Sequence, residues 1–258
     1  MPKISIITIC YNAEHEIEKT MESVLEQTFL DLEYIVVDGA STDATVEIAE
    51  KVKLRYSNRN VRIYSEPDNG IYDAMNKGIK YAEGEWLNMM NAGDSYVNDK
   101  VLTNIFSEKI PKGKTVIYSD SFLIKKDGRR IIIHHDISKY PYGFCHQAII
   151  YKKKLHDEHG MYVFSKKLII SDTLFFIRIP VEEMMKVDTI IANFAAGGAS
   201  GNAGYDLQKQ NLCAQYIFKD RTFTQIVWGY YFMRLRHLLI PNRLRQIIRQ
   251  RLGRIEMK

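Results

Sequence analysis

A single carboxylate, Asp94, follows an apolar stretch of this sequence in residues 90–96, which read MNAGDSY. The residues just before it, GEWLNMM, have the composition of a buried strand. A carboxylate beside a protein core is costly unless a positive group meets it. Divalent cations such as Mg²⁺ and Mn²⁺ are held on carboxylates of this kind. Asp94 is therefore a candidate metal ligand, and the alternative is a turn aspartate that caps the next helix.

Other polar residues of the first half also follow apolar runs. Tyr11 and Asn12 come after the run ISIITI, Asp38 ends the second run, and Asp68 follows the third. Such runs of β-branched residues predict strands that are buried on both faces of a parallel sheet. Ligands bind where the loops gather at the carboxyl ends of these strands. We therefore predict that these residues share a site with Asp94.

Helical patterns separate the predicted strands. Asn12 is the expected cap of a first helix that runs to about residue 27. A second helix contains Ala49 and Val52, and a third contains Met75 and ends at Gly84. Alternation of strands and helices over ~95 residues predicts an α/β fold with an open, mostly parallel sheet flanked by helices.

The second half is predicted to be smaller and to shape the pocket for a partner molecule. Its expected elements are a hairpin at Asp127, a strand that begins with His146, a helix with Asp172 near its start, and one late strand over residues 186–194. The glycines of residues 197–204 indicate either a lid loop or a plain linker.

Residues 219–258 carry ten Lys and Arg against two acidic residues, whereas the whole chain has a net charge of +5. Arg234 and Arg236 interrupt the apolar residues 223–240, so this stretch is too short and too charged for a convincing membrane span. Residues 241–258 have the pattern of a basic amphipathic helix. Its apolar face could lie on an anionic membrane or pack on the protein's own core.

These patterns predict a main domain over residues 1–218, with halves 1–98 and 99–218, and a C-terminal helical, basic extension over residues 219–258. Hydrophobic residues make up 46% of the chain and charged residues 26%, as in an ordinary globular protein. Three scattered cysteines without a CxxC favour a reduced compartment, and the N-terminus lacks the features of a signal peptide. We expect a cytoplasmic protein, either free or peripheral on the inner face of the cell membrane.

Five segments, in this order and spacing, resemble a family 2 glycosyltransferase with the GT-A fold. They are ISIITICYN, ESVLEQTF, EYIVVDGASTDAT, EPDNGIYDAMNKGI and the strand that ends in MNAGD. The second half is similar more loosely, through CHQAIIY and IISDTLF. The resemblance implies inverting transfer of a sugar from a nucleotide sugar, with Mn²⁺ or Mg²⁺ as the cofactor.

The resemblance also implies roles for residues of the donor half. Tyr11 and Asn12 match a base-binding turn, and Asp38 matches the carboxylate that hydrogen-bonds the base, with a turn-forming aspartate as the alternative. The remaining expected nucleotide-sugar-binding residues are Asp68, Asp73, Lys77, Asn91, Gly93 and Asp94. For Asp68, Asp73 and Lys77 the alternative is an ordinary loop or first helical turn.

Asp94 matches the last carboxylate of a DxD-type metal motif, although Ala92 and Gly93 stand where many members have carboxylates. One acidic ligand can still hold a metal together with phosphate oxygens and water, so metal and nucleotide should bind together.

Asp172 matches the acceptor-side base, and the alternative is a helix N-cap. His146 and Gln147 are expected beside it on the acceptor side. His146 is expected to bind the acceptor or the diphosphate, and the alternative is a purely structural histidine.

The function expected from the resemblance is transfer of a sugar, with UDP as the favoured nucleotide, to a hydroxyl of a saccharide or lipid-linked acceptor in surface polysaccharide biosynthesis. No nucleic-acid partner is expected. A nucleotidyltransferase is an alternative, but its Gly-rich cationic loop is missing from CYNAEHE. The motifs G-x-G-x-x-G and GxxxxGK[ST] are also absent, which argues against a dehydrogenase or a P-loop ATPase. The other alternative, an inactive GT-A scaffold, does not explain why Asp94 and Asp172 are both present.

Overall fold

The computed structural model describes residues 2–125, 127–137, 145–165, 167–195, 199–218 and 220–239. The chain divides into two compact units, Met1–Asn202 and Ala203–Lys258. The predicted boundary at residue 218 stays a prediction.

The strands of the described residues all lie in the first unit. They are β1 (Ile4–Cys10), β2 (Leu32–Asp38), β3 (Val61–Ser65), β4 (Trp86–Met89), β5 (Ser95–Tyr96), β6 (Val116–Tyr118), β7 (Ser121–Ile124), β8 (Arg130–Ile133), β9 (Ile149–Lys152), β10 (Met184–Lys186) and β11 (Ala192–Ala195). The helices are α1 (Ile17–Leu25), α2 (Thr45–Arg55), α3 (Ile71–Tyr81), α4 (Val101–Ser107), α5 (Leu155–His159), α6 (Ser171–Phe176), α7 (Ala199–Ile217) and α8 (Phe223–Leu239).

Seven strands form the main sheet in the order β10-β6-β9-β4-β1-β2-β3. Strands β4, β1, β2 and β3 are mutually parallel, and β9 runs antiparallel to both of its neighbours. The other four strands form a second sheet in the order β5-β11-β7-β8. The predicted α/β fold with a mostly parallel sheet is confirmed.

Both faces of the main sheet are covered, which explains the apolar runs of β1 and β2. Every residue of these two strands is buried. Ile4 and Ile6 pack in one core with the buried side of α1, while Ile7 and Ile9 pack in a second core with α3. The alternation follows from strand geometry, since successive side chains point to opposite faces of a sheet. Helices therefore lie on both faces of the sheet and leave its carboxyl edge for the loops.

A buried carboxylate ties the central strands together at the opposite edge. Glu33 of β2 accepts hydrogen bonds from Ser5 Oγ at 2.5 Å and from the Glu83 N–H at 2.5 Å, and it forms an ion pair with Arg62. The next residue, Gly84, approaches β1 so closely that a Cβ would lie 2.5 Å from the Ser5 nitrogen. Gly84 therefore allows the chain to pack closely against β1. The prediction that it ends α3 is wrong, because α3 ends at Tyr81.

Three further sequence-based boundaries differ in the structure. Helix α1 begins at Ile17, because Asn12 adopts a left-handed conformation with φ 48° in the preceding turn. The single late strand expected over residues 186–194 is two short strands, β10 and β11, which belong to different sheets. The loop expected over residues 197–204 is helical from Ala199 onwards.

His146 also lies outside the strand that was expected to begin with it. Residues His146–Ala148 form a 3-10 turn, and β9 begins only at Ile149. Consecutive side chains point to opposite faces of a strand, but they are only about 120° apart in a 3-10 turn. This turn therefore allows the side chains of His146 and Gln147 to lie on the same side of the sheet edge.

In the part of the chain that the structure describes, no helix is long and apolar enough to cross a membrane. The predicted amphipathic helix over residues 241–258 lies outside the described residues.

Candidate active site

The loops after β1 and β2 are joined at the carboxyl edge of the main sheet. The Asn12 N–H donates to Ser41 Oγ at 2.7 Å, and Asn12 Oδ1 accepts from the Thr42 N–H at 2.9 Å. The neighbouring Tyr11 ring is 62% exposed. The expected base-binding turn is thus a rigid loop pair beside an open aromatic face, on which a planar ring could stack.

Asp38 lies at the end of β2 and is almost fully buried. Its carboxylate accepts from the Ser41 N–H at 2.9 Å, from Ser65 Oγ at 2.6 Å and from the Ser41 hydroxyl, and Cys10 Sγ approaches it at 3.7 Å. These contacts give Asp38 a clear part in shaping the turn. Its direct contact with a nucleotide base stays a prediction.

Gly39 lets two predicted site residues approach each other. A Cβ on Gly39 would lie 2.5 Å from Asp68 Oδ2 and 3.4 Å from Tyr11 Cδ2. Asp68 itself accepts a hydrogen bond from the Gly70 N–H at 2.7 Å. This role of Gly39 could not be predicted from the sequence, because a close approach between loops leaves no local pattern.

Asp73 and Lys77 support the loop that carries Asp68. Asp73 accepts from the backbone N–H of Asn69 at 2.8 Å and from its Nδ2 at 3.1 Å. Lys77 Nζ donates to the Pro67 carbonyl at 2.6 Å and lies 3.4 Å from a Glu66 carboxylate oxygen. These contacts are local to one loop and helix, and direct roles of the two residues in ligand binding stay predictions.

The residues Asn91–Asp94 form a tight turn after β4. Gly93 has φ +96°, a left-handed conformation that favours glycine, and its N–H donates to Thr20 Oγ1 at 3.0 Å. The Asp94 N–H closes the turn on the Asn91 carbonyl at 2.9 Å, and Thr20 Oγ1 lies 2.8 Å from the Asp94 carbonyl. We call residues 91–94 the donor loop.

The Asp94 carboxylate is buried without a lysine or arginine partner among the described residues. Its exposed fraction is 7%. Gln147 Nε2 donates to one carboxylate oxygen at 2.6 Å, and the Ala195 N–H donates to the other at 3.3 Å. Burial raises the pKa of Asp94 to about 6, despite the hydrogen bond from Gln147. A cation at this position would relieve the cost of a buried negative charge.

The chemistry of the donor loop fits a hard divalent cation, with most ligands coming from elsewhere. Asp94 supplies carboxylate oxygens, the donors that Mg²⁺ and Mn²⁺ prefer. The described residues contain no group of three or more His, Cys, Asp or Glu that could hold a metal alone. Asn91 Oδ1 is a buried acceptor without a hydrogen-bond partner in the described structure. The loop therefore suits a cation that arrives with a ligand rich in oxygen.

Asp172 lies in the first turn of α6, and it is not the N-cap, because the helix already begins at Ser171. It accepts hydrogen bonds from the Tyr72 hydroxyl at 2.9 Å, from the Thr173 N–H at 2.9 Å and from His146 Nδ1 at 3.1 Å. Burial alone would raise the pKa of Asp172, but the contact with His146 and the other donors outweigh it and hold that pKa below its usual value. Asp172 is therefore an ionised carboxylate at neutral pH and can accept a proton.

The 3-10 turn connects the two carboxylates. His146 contacts Asp172 through Nδ1 and lies 3.1 Å from Asn91 Nδ2 through Nε2, while the next residue, Gln147, contacts Asp94. Two adjacent side chains thus join α6 to the donor loop. Direct contact of either side chain with an acceptor molecule stays a prediction.

Tyr72 was not predicted as a site residue, yet it is 4% exposed and its hydroxyl donates a hydrogen bond to Asp172. A tyrosine on the apolar face of a helix has the same sequence pattern as an ordinary core residue. Only the fold shows that its hydroxyl faces a carboxylate 100 positions further along the chain.

The sequence profile described as "Glycosyl transferase family 2" matches residues 5–173. The chain belongs to this family. The match spans the predicted site residues from Tyr11 to Asp172. The PGL/p-HBAD biosynthesis glycosyltransferase of Mycobacterium bovis is 29% identical over 213 residues, which cover 80% of this chain and 81% of that protein. The hyaluronan synthase of Pasteurella multocida is 32% identical over 133 residues, which cover 51% of this chain and 13% of that protein.

Solved structures share the GT-A fold with this family 2 glycosyltransferase. One is the mannosyltransferase PcManGT from Pyrobaculum calidifontis in complex with GDP-Man and Mn²⁺, with a TM-score of 0.66 and 15% identity over 98% of this chain and 80% of that one. Another is S. aureus TarS 1–349 in complex with UDP-GlcNAc, with a TM-score of 0.66 and 18% identity over 91% of this chain and 72% of that one. At these identities the likeness concerns the fold alone.

Replacing Tyr72 by Phe tests the contact with Asp172. The variant should lower the free energy of unfolding by about 1.5–3 kcal/mol, because a hydrogen bond to a partly buried charged group is lost. Urea denaturation at pH 7 measures this change. Tyr56→Phe is the matched control, since the Tyr56 hydroxyl also contacts a carboxylate, Glu26, but on the exposed surface. Equal effects of the two substitutions would contradict the described contact.

Proposed function

We propose that this family 2 glycosyltransferase moves a sugar from a nucleoside diphosphate sugar, with UDP favoured, to a hydroxyl of a saccharide or lipid-linked acceptor in surface polysaccharide biosynthesis, with inversion at the anomeric carbon. The observation that carries this proposal is the pair of carboxylates linked by the turn His146–Gln147, of which Asp94 is buried and Asp172 is partly buried. Asp172 is ionised and accepts three hydrogen bonds, whereas Asp94 has no lysine or arginine partner among the described residues. The related enzymes of glycan synthesis support the same class of substrates.

The nucleoside is proposed to bind along the loops after β1, β2 and β3. Tyr11 would stack on the base from its exposed face, and Asn12 and Asp38 would keep the two loops in register. Asp68 lies beside Tyr11 across Gly39 and is proposed to contact the ribose side of the ligand. Asp73 and Lys77 would hold the loop of Asp68 in place.

The diphosphate is proposed to lie at the donor loop, where Asp94 would hold Mn²⁺ or Mg²⁺ together with phosphate oxygens. When bound, the cation would stabilise the negative charge that develops on the leaving diphosphate. Gln147 orients the Asp94 carboxylate through its hydrogen bond. Asn91 offers its unpartnered amide oxygen to a hydroxyl of the donor, and Gly93 allows the tight turn that presents both residues.

Asp172 is proposed to be the general base. It would take the proton of the acceptor hydroxyl while that oxygen bonds to the anomeric carbon and the bond from this carbon to the diphosphate oxygen breaks. A single displacement of this kind inverts the configuration of the anomeric carbon. The low pKa of Asp172 supports this role, since the carboxylate is free of a proton over the neutral range.

Replacing either carboxylate by its amide tests the two roles. We expect Asp94→Asn and Asp172→Asn each to reduce transfer by about 100- to 10,000-fold, because one removes the metal ligand and the other removes the base. The measurement is release of the nucleoside diphosphate from a panel of nucleotide sugars with Mn²⁺, with thermal melting as the check on folding.

Asp127→Asn, on the exposed hairpin of β7 and β8, is the matched control and should retain wild-type activity. Near-normal turnover of Asp172→Asn would show that the base is another group. A wild-type protein without metal-dependent turnover on any nucleotide sugar would favour the inactive scaffold.

We also propose that the C-terminal extension places the enzyme on the cytoplasmic face of an anionic membrane. Residues 219–258 carry the basic excess of the chain. In the described part of this extension, one side of α8 exposes apolar and aromatic residues, each more than half exposed: Trp228, Tyr231, Phe232, Leu235 and Leu239. Aromatic rings beside basic residues are typical of helices that lie in a membrane interface.

Vesicle binding tests this location. The full chain should sediment with vesicles that contain anionic phosphatidylglycerol, and it should bind less to neutral phosphatidylcholine vesicles or at high salt. Deletion of residues 241–258 should weaken binding to the anionic vesicles. Unchanged binding after this deletion would count against a role for the basic segment.

A further inference from the structure

His146 contacts both parts of the candidate site through its two ring nitrogens. Nδ1 lies 3.1 Å from Asp172 Oδ2, and Nε2 lies 3.1 Å from Asn91 Nδ2. The Asp172 carboxylate can only accept, so Nδ1 carries the hydrogen. The Asn91 amide nitrogen donates, so Nε2 is the acceptor. The two partners together assign the roles of the ring nitrogens and fix the plane of the ring.

We propose that His146 is a positioning residue of the transfer reaction: it orients Asp172 toward the acceptor through Nδ1 and ties that carboxylate to the donor loop through Nε2 and Asn91. The inference rests on the proposed role of Asp172 as the base. It adds a contact with the base itself to the predicted contact of His146 with the acceptor or the diphosphate.

A second histidine of the same unit shows what a structural histidine looks like here. His156 stacks on Phe175 with ring centroids 4.3 Å apart, and its nitrogens contact the Tyr151 hydroxyl and the Gly160 carbonyl. Burial lowers the pKa of His156 to about 4. Its partners are core groups, whereas both partners of His146 are predicted site residues. The contrast supports a role for His146 in the reaction.

The other groups near Asp172 explain why the contact with His146 is needed to keep this carboxylate ionised. The charge of Asp172 acts on the phenols of Tyr72, Tyr151 and Tyr162 and on the thiol of Cys145, and burial raises the pKa of each of them. These groups are therefore neutral in the assay range. Without His146, only the Tyr72 hydroxyl and the Thr173 N–H would oppose the effect of burial on Asp172 in the described structure.

The link through Asn91 couples the base to the donor side. Asn91 and Asp94 share one turn, in which the Asp94 N–H donates to the Asn91 carbonyl at 2.9 Å. The Asn91 amide offers its nitrogen to His146 and its unpartnered oxygen to a ligand. A nucleotide sugar that binds this oxygen would therefore contact the same amide group that forms the hydrogen bond with His146.

Two amide variants separate the two nitrogens of His146. In His146→Asn the amide nitrogen sits on Cγ, as Nδ1 does, so the donor to Asp172 can be kept while the link to Asn91 is lost. In His146→Gln the longer side chain reaches toward the position of Nε2, so the donor to Asp172 is lost. His134→Asn is the matched control, because His134 contacts Asp120 through Nδ1 on the exposed surface.

The experiment measures kcat against pH for these variants at saturating nucleotide sugar and Mn²⁺, so that the bound cation would keep Asp94 ionised and Asp94 would not set the acid limb. His146→Gln should lower kcat by about 100-fold, as expected for a misplaced catalytic group, and should move the acid limb of the profile to higher pH. The shift has this direction because Asp172 would hold its proton more tightly. His146→Asn should keep the acid limb at the wild-type position, and His134→Asn should match the wild type throughout.

An equal loss of rate in both His146 variants, with an unchanged pH profile, would overturn the inference and leave His146 a packing residue. A titration of the Asp172 carboxyl by ¹³C NMR, assigned with Asp172→Asn, separates this outcome from a failure of the proposed function. The titration needs no turnover. If Asp172 titrates at higher pH in His146→Gln but the rate profile does not follow, then the contact is real and the base is another group.

Discussion

The burial of the Asp94 carboxylate, which has no lysine or arginine partner among the described residues, is the constraint on which the rest of the site depends. Asp94 receives one hydrogen bond from Gln147, next to the main sheet, and one from Ala195 in β11 of the second sheet. The Asp94 carboxylate is therefore held by contacts from beside both sheets. Because two neutral donors do not replace the hydration of a buried carboxylate, the site is suited to a cation that enters with an anionic ligand.

The 3-10 turn before β9 links the two carboxylates of the candidate site, Asp94 and Asp172. Successive residues of a strand would point away from each other, whereas the 3-10 turn brings His146 and Gln147 to the same sheet edge. One side chain meets the base candidate and the other meets the metal-ligand candidate. In this arrangement the separation of Asp172 and Asp94 is fixed by adjacent residues of one rigid turn.

The first half could be predicted from the sequence because its signals are local. Strands β1 and β2 are buried along their whole length, so each appears in the sequence as a continuous apolar run. Because the carboxyl ends of parallel strands lie at one edge of a sheet, Tyr11 and Asp38 could be predicted to lie at the same edge. The second half was harder. Strands β10 and β11 have three and four residues, and their assignment to different sheets depends on contacts far along the chain. The bond from Tyr72 to Asp172 is equally invisible to a local pattern.

The most direct test of the account is diffraction from crystals grown with UDP and Mn²⁺, using the anomalous signal of manganese to locate the cation. The account predicts a manganese peak within about 2.0–2.6 Å of an Asp94 carboxylate oxygen, with diphosphate oxygens among its other ligands. Asp172 should then face the sugar pocket from the side opposite the diphosphate. A manganese peak remote from residues 91–94, or an Asp172 carboxylate screened from that pocket, would contradict it.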